Sequence, residues 1–481
     1  MHLTVILRIT GTLLTLFSFA FLLPVIVGLL YGEPTLSTFF SAFAITLLSG
    51  LVLWLPLRGK RELRGGDGFL VTALFYLGLG IFGAIPFWLA DATDLTFTAS
   101  VFESISGLTT TGATTIAGLD GLPKSLLLYR QMLQWMGGMG IIVLAVAIFP
   151  MLGIGGMQLY RTESAGPIKD NKLTPRITET AKALWYIYIG LTAACAFAYW
   201  LAGMDGFDAV SHSFSTVSIG GFSTHDASLG YFDSAAIEIV AIVFMTLSGI
   251  NFALHFLVWR RRNPLHYFRD MEVRAYLLVL LLVAIVVSAI LWLNPNSTSQ
   301  PLRDGLFQAV SITTTTGFTT DNFAAWPSVA PIILLFAAFA GGCAGSTAGG
   351  IKIIRVLMIY LQGMREVKRL IHPNGVFTIK MGRNAVSDRL VDAVWSFFSV
   401  YVFFFLLSVC ALMAVGDLDF ITAFSAVGAC LNNLGPGLGD VAVNYADISP
   451  SIKWILIFNM VLGRLEIFTL LVLLTPAYWR R

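Results

Sequence analysis

The chain has 481 residues, of which 57% are hydrophobic and only 12% charged, with a formal net charge of +3. A soluble chain of this length is about 25% charged. Half that fraction, with apolar runs of ~20 residues, excludes a soluble globular fold and means a polytopic membrane protein. The cysteines Cys195, Cys343, Cys410 and Cys430 fall in apolar or glycine-rich segments without a CxxC pair. They read as small buried residues, giving neither a disulfide framework nor a metal site.

Arg8 precedes an apolar run from Ile9 to about Leu30, too long for a signal core and lacking a small-residue cleavage pattern, so it reads as a retained first span. A loop with Glu33 leads to a second span over 37–57, then to a basic loop with Arg58, Lys60, Arg61 and Arg64. Further spans are expected near 69–90, 126–152, 183–203, 235–258, 275–293, 328–361, 391–415 and 452–475. Four shorter apolar segments lie between paired spans. The first, from Asp91 to about Phe102, is too short to cross a hydrocarbon layer of ~30 Å and too apolar for an open loop. If each short segment enters and returns on one side, the basic loops share one face. These loops carry Arg161, Lys169, Lys172, Arg176 and Lys182, then Arg260 to Arg262, then Arg365, Lys368, Arg369, Lys380, Arg383 and Arg389, and finally Arg480 and Arg481. The positive-inside rule then puts both termini in the cytoplasm, whereas full crossings would split the basic loops between two sides. The other side collects aspartates, among them Asp91, Asp120, Asp205, Asp208, Asp226, Asp233, Asp304, Asp321, Asp419 and Asp440. They read either as an acidic mouth that concentrates cations or as ordinary helix caps.

Each short segment ends in a diverged copy of one stretch. The copies are Thr109-Thr110-Thr111-Gly112-Ala113, Val217-Ser218-Ile219-Gly220-Gly221, Thr314-Thr315-Thr316-Gly317-Phe318 and Asn432-Asn433-Leu434-Gly435-Pro436. This alignment sets Gly112, Gly220, Gly317 and Gly435 at one position. Repetition at roughly 100 residues marks one structural unit used four times. Non-helical backbone at membrane depth is tolerated only inside protein or along a water-filled path. Four such strands around one axis offer rings of carbonyl oxygens that can replace an ion's hydration shell. Glycine tolerates the φ values that aim those carbonyls inward, and the C-terminal ends of the short helices favour a cation there.

These stretches, with Ile219-Gly220-Gly221-Phe222-Ser223-Thr224, Gly341-Gly342-Cys343-Ala344-Gly345-Ser346-Thr347 and Gly463-Arg464-Leu465-Glu466, resemble the membrane subunits of bacterial Trk potassium-uptake systems, within the Trk/Ktr/HKT superfamily. The resemblance runs from the first pore unit to the last span, and the two extra N-terminal spans fit the Trk branch. It implies an all-α membrane protein with four fused span–re-entrant pore helix–filter–span units around one pseudo-four-fold pore. The units fall at 67–160, 161–265, 266–365 and 366–481, after two N-terminal helices in 1–66. It further implies potassium as the permeating ion, bound by the backbone of Thr110, Thr111, Gly112, Ala113, Ser218, Ile219, Gly220, Gly221, Thr315, Thr316, Gly317, Phe318, Asn433, Leu434 and Gly435. Also implied are a homodimer in the bacterial inner membrane and a cytosolic, TrkA-like regulatory ring. Any nucleotide (NAD, ATP or ADP) is expected on that ring and not on this chain. Some plant relatives carry serine at the first filter glycine and resemble sodium transporters; glycine at all four positions favours potassium.

The exit span of the third unit is interrupted by glycines from Gly341 to Gly350. Glycine costs roughly 1 kcal/mol per helical position, which argues for a broken helix, while the Gly345–Gly349 spacing also fits close helix packing. The resemblance makes Gly345, Ser346, Thr347, Gly349 and Gly350 part of an intramembrane gating loop. Arg464 lies inside the last span, where a charge costs at least ~2.5 kcal/mol. It reads as a gate cation or as half of a buried ion pair with Glu238 or Glu466. Arg130 reads as an interfacial anchor or a brace behind the filter, and His212 and His225 as outer-surface residues or proton carriers. The histidines show no ligand spacing and no nucleophile elbow stands out, so no enzyme or nucleic-acid role is expected. Proton- or sodium-coupled symport, or less selective sodium and potassium transport, remain as alternatives to a gated channel-like path.

Overall fold

The computed structural model describes residues 3–56, 67–143, 177–327, 329–382 and 384–480. The basic residues Arg58, Lys60, Arg61, Arg64, Arg161, Lys169, Lys172, Arg176, Arg383 and Arg481, and the end of the expected fourth span, lie outside these ranges. Hydrocarbon offers no partner to peptide groups, so an apolar chain there closes its hydrogen bonds within helices. Six helices among the described residues are long and apolar enough to cross a membrane: Thr4–Tyr31, Leu36–Trp54, Gly68–Leu89, Ala181–Leu201, Met271–Leu293 and Asp388–Gly416. Two bent pairs, Ala235–Ser248 with Phe252–Arg261 and Pro450–Arg464 with Phe468–Leu474, bring the number to eight. The exit segments of the first and third units, Lys124–Val143 and Val329–Ala340, complete the set of paired spans. A two-residue ribbon, Lys380–Met381 against Asn384–Ala385, is the only β-sheet pairing among the described residues. Leu281, Leu282, Ile285, Phe403, Leu406 and Leu407 point outward from the spans, as an apolar solvent requires.

The four short helices are Phe97–Leu108, Gly206–Ser218, Pro301–Thr313 and Phe420–Asn432. At 12 or 13 residues each they reach only ~18–20 Å. They form the centre of the molecule, with the spans outside them. Their starts are written in the sequence. The side chains of Thr96, Asp205 and Asp419 accept from the first-turn N–H groups of Ala99, Asp208 and Thr422, and Pro301 opens the third helix. Two of the outer aspartates are therefore helix caps. Asp226 and Asp321 line the central cavity, and Asp233 is held by Arg303. The acidic mouth is narrower than the full set of aspartates implies, because folding gives most of them a local partner.

Cys195, Cys343 and Cys430 are buried as expected, but Cys410 is exposed, on the outward side of a helix whose apolar surroundings accept a thiol on either face. The third exit span breaks between Val329–Ala340 and Ile353–Ile371, as its glycines indicate. It is not the only one. The second exit span turns by 94° and the fourth by 116°, and neither carries a glycine run to announce it. The second is broken at Gly249 to Asn251, where the Asn251 side chain caps the following helix through Ala253 N–H. The fourth turns on Glu466 and Ile467, which both take positive φ, 53° and 24°.

Candidate functional site

Each short helix leads into a strand whose backbone alternates in handedness. Positive φ occurs at Thr110 and Gly112, at Ile219 and Gly221, at Thr315 and Gly317, and at Asn433 and Gly435. The hydrogen bonds that close the helices agree: the N–H groups of Thr111, Gly220, Thr316 and Leu434 donate at 2.8 Å to the carbonyls of Ser106, Ser215, Ser311 and Ala429. The equivalent glycines are thus Gly112, Gly221, Gly317 and Gly435. The expected register of the second copy shifts by one: Gly220 stands where the others have Thr111, Thr316 and Leu434. Two adjacent glycines left that choice open. The trailing Phe222-Ser223-Thr224, matching Phe318-Thr319-Thr320, was the signal that could have settled it.

The four strands close into a ring. A Cβ on Gly112 would meet the Gly220 carbonyl oxygen at 2.1 Å, one on Gly221 that of Thr316 at 2.0 Å, one on Gly317 that of Leu434 at 2.2 Å, and one on Gly435 that of Thr111 at 2.7 Å. Each glycine abuts the next unit in the order one, two, three, four and back to one. That contact and the positive φ both demand glycine at these positions. Above the ring lies a cavity of about 400 Å³, lined by Gly112, Ala113, Gly221, Gly317, Gly435, Asp226, Asp321 and Tyr445 among others. Thr110, Thr111, Ile219, Gly220, Thr315, Thr316, Asn433 and Leu434 lie deeper in the strands. Ser218 ends its helix, and Phe318 is buried with its carbonyl accepting from Ser311 Oγ at 2.6 Å.

A buried polar frame holds the ring from behind. Arg130 is 1% exposed and pairs with Glu103 at 2.8 Å. It also donates to the Ser223 carbonyl at 2.9 Å and to Thr114 Oγ1 at 3.0 Å, with its guanidinium 4.2 Å from the centre of the Phe222 ring. It is a brace between the first two units and not an interfacial anchor, because Glu103 and two strand oxygens satisfy it inside the protein. Gln134 donates to the Gly220 carbonyl at 2.6 Å and accepts from Phe222 N–H. Asn433 Nδ2 donates to Thr111 Oγ1 and to the Met460 carbonyl, both at 3.0 Å, joining the fourth unit to the first. Tyr445 donates to the Gly435 carbonyl at 2.9 Å. His212 is fully buried, within 2.9 Å of both the Asp208 carbonyl and Ser223 Oγ. It is not a surface residue; its helix turns it toward the second strand. His225 bridges Asp120 at 2.5 Å and Asp208 at 3.2 Å and stacks on Tyr231. Sequence reasoning missed Glu103, Gln134 and Tyr445, although an acid inside an apolar re-entrant helix was a visible signal for Glu103.

Below the ring, the break from Gly341 to Lys352 lies against the ends of three short helices. Thr347 Oγ1 donates to the Val217 carbonyl at 3.0 Å, Gly349 N–H to Thr315 Oγ1 at 2.7 Å, and Gly350 N–H to the Asn432 carbonyl at 3.0 Å. Gly345 takes φ 71° and its carbonyl accepts from Phe252 N–H, at the elbow of the second exit span. Ser346 Oγ donates back to the Cys343 carbonyl at 2.5 Å. Arg464, 3% exposed, donates from Nη1 to the Thr347 carbonyl at 3.0 Å. The ion pair considered for it does not form with either carboxylate. Glu238 sits at the outer end of its span holding Arg303 at 2.7 Å, and Glu466, turned aside by its left-handed backbone, holds Arg355 at 2.8 Å.

Four fused units in one orientation, ringed on glycine-containing strands and enclosed by apolar spans, define a polytopic membrane protein with one central polar path. The TrkH family, described as cation transport proteins, matches residues 35–481; the chain belongs to this family. It is 55% identical to the Trk system potassium uptake protein TrkH of Vibrio parahaemolyticus, over 99% of each chain. It is 40% identical to the Trk system potassium uptake protein TrkG of Escherichia coli, over 100% of this chain and 99% of that one. The crystal structure of the potassium transporter TrkH from Vibrio parahaemolyticus superposes with a TM-score of 0.93 at 53% identity, covering both chains completely.

Proposed function

We propose that the chain carries potassium into the cell along the central path, with the backbone carbonyls of the four strands as the selectivity filter and the Gly341–Lys352 segment as the gate. The closed ring of four glycine contacts carries this reading. Alternating left- and right-handed residues turn consecutive peptide groups to one side, as in anion-binding nests, and a strand of that kind can line an axis with oxygens. The C-terminal ends of four short helices converge on the strands and favour a cation. The gate reading rests on the segment's contacts with three helix ends and on Arg464, whose charge next to the path opposes cations. Potassium is the ion in the names of the relatives at 55% and 40% identity.

The four units are taken as 67–160, 161–265, 266–365 and 366–481. The positive-inside rule applied to the basic loops supports both termini on the cytoplasmic side of a bacterial inner membrane, where a second copy of the chain and a nucleotide-binding ring subunit of the Trk system would complete the assembly. A second reading, proton-coupled symport, has the buried His212 beside the second strand in its favour. Potassium flux into proteoliposomes, with and without a pH gradient, separates the two. Flux that follows the potassium gradient alone supports the channel-like path; flux that needs the proton gradient replaces it with symport.

A further inference from the structure

Two consecutive carbonyls of the gate segment are each held by a cation. Arg464 takes Thr347, and Lys352 Nζ donates to Ala348. The two cations belong to different broken spans, Arg464 ending the helix Pro450–Arg464 and Lys352 preceding the helix Ile353–Ile371. Just beyond them the same two spans meet again, through the Arg355–Glu466 pair at 2.8 Å. The contacts close a circuit from Thr347 through Arg464, Glu466, Arg355 and Lys352 to Ala348. Arg355 is further fixed by the Phe397 ring, 4.3 Å from its guanidinium carbon, and by the Ile351 carbonyl at 3.3 Å. Its side chain is 8% exposed and that of Glu466 is 35% exposed, so the pair borders the interior without being sealed in it. The backbone at this junction is strained: Lys352 has φ 81°, Glu466 53° and Ile467 24°. Non-glycine residues hold such values only where their surroundings over-determine them.

We propose that the Arg355–Glu466 ion pair is a latch that positions the gate, tying the third and fourth exit spans together so that Arg464 and Lys352 stay on the Thr347 and Ala348 carbonyls. The inference rests on the gate reading above. Opening requires the two spans to part, and the latch sets how often they do. Arg355 and Glu466 are positioning residues; neither touches the permeating ion.

The test is basal potassium flux of the full-length chain in proteoliposomes without any partner. Glu466→Gln and Arg355→Gln should each raise it about 5–10-fold, and the double substitution should add little beyond either, since both remove one interaction. The exchanged pair, Arg355→Glu with Glu466→Arg, should restore flux to near the starting value. The potassium-to-sodium ratio should stay unchanged throughout, because the filter lies above the latch. An exchanged pair that leaks like the single variants, or single variants with unchanged flux, overturns the latch. A variant with segment 343–347 deleted, run alongside, separates the two readings: if it leaks while the single variants do not, the gate stands and the latch falls; if it does not leak, the gate reading itself fails. Where a Gln variant does not yield monodisperse protein, Glu466→Asp keeps the charge with a shorter reach. Intermediate flux then supports the latch and unchanged flux refutes it.

Discussion

Single positions in the ring have little freedom. At Gly221 a side chain would need φ 78° and would press its Cβ to 2.0 Å from the Thr316 carbonyl oxygen; Gly112 has the same problem against Gly220. Gly112→Ser and Gly221→Ser should therefore both weaken discrimination between potassium and sodium, read as the uptake ratio in a potassium-uptake-deficient strain. Gly220→Ser acts differently, because its Cβ would meet the Gln134 side chain at 2.3 Å. If Gly220→Ser alone lost selectivity while Gly221→Ser kept it, Gly220 and not Gly221 would hold the ring position of the second strand. Behind the ring, Arg130 and Glu103 are 1% and 0% exposed. Removing one partner of such a pair leaves a buried charge without compensation, at about 3–5 kcal/mol. Arg130→Gln should lower the detergent-solubilised melting temperature clearly, and more than the double variant with Glu103→Gln does.

At the scale of elements, the broken exit spans carry the proposed gate. A helix that stops inside the membrane leaves carbonyls and N–H groups to be satisfied, and here the third exit span satisfies some of them on the fourth unit. Gly350 N–H takes the Asn432 carbonyl that ends the fourth short helix, and Arg464 takes the Thr347 carbonyl. Replacing Arg464 by Gln removes both a charge beside the path and a hold on the segment, so potassium conductance should rise several-fold in planar-bilayer recordings. A fall in conductance with intact assembly would mean that Arg464 supports packing only. The glycine run made the third break legible in the sequence. The 94° and 116° turns of the second and fourth spans were not, because they depend on Asn251, Glu466 and Ile467, ordinary residues whose backbone is set by neighbours far away in the chain.

Across the whole molecule the outer ends of the first two units are joined by His225, set between Asp120 and Asp208, with Asp226 accepting from Gly118 N–H close by. Partial burial pulls the His225 pKa down, but its hydrogen bonds to Asp208 and Asp120 outweigh this and raise it above 6.5. The Asp120 carboxyl is lowered, chiefly by the hydrogen bond from His225. A raised histidine stabilises the folded state fully below its unfolded pKa, and that contribution fades as pH rises through the folded value. A lowered carboxyl contributes above its unfolded pKa and loses this as pH falls. The tether is thus strongest in mildly acidic medium, and thermal stability of the wild-type protein should decline from there to alkaline pH. In His225→Gln that slope should flatten; an identical slope in both proteins would mean that His225 contributes nothing to it.

What the sequence determined by itself was the membrane class, the four-fold unit, the short capped helices and the neighbourhood of the glycine ring. Those follow from local physics: apolar length, cap chemistry and glycine where φ must be positive. Only the tertiary structure decided which of Gly220 and Gly221 faces the next strand, where Arg464 and Arg130 find their partners, and how the exit spans bend. Those outcomes depend on contacts between units that lie far apart along the chain. Asn433 and Thr111, 322 residues apart in the chain, meet where the fourth unit closes the ring on the first, and no local pattern around either residue encodes the other.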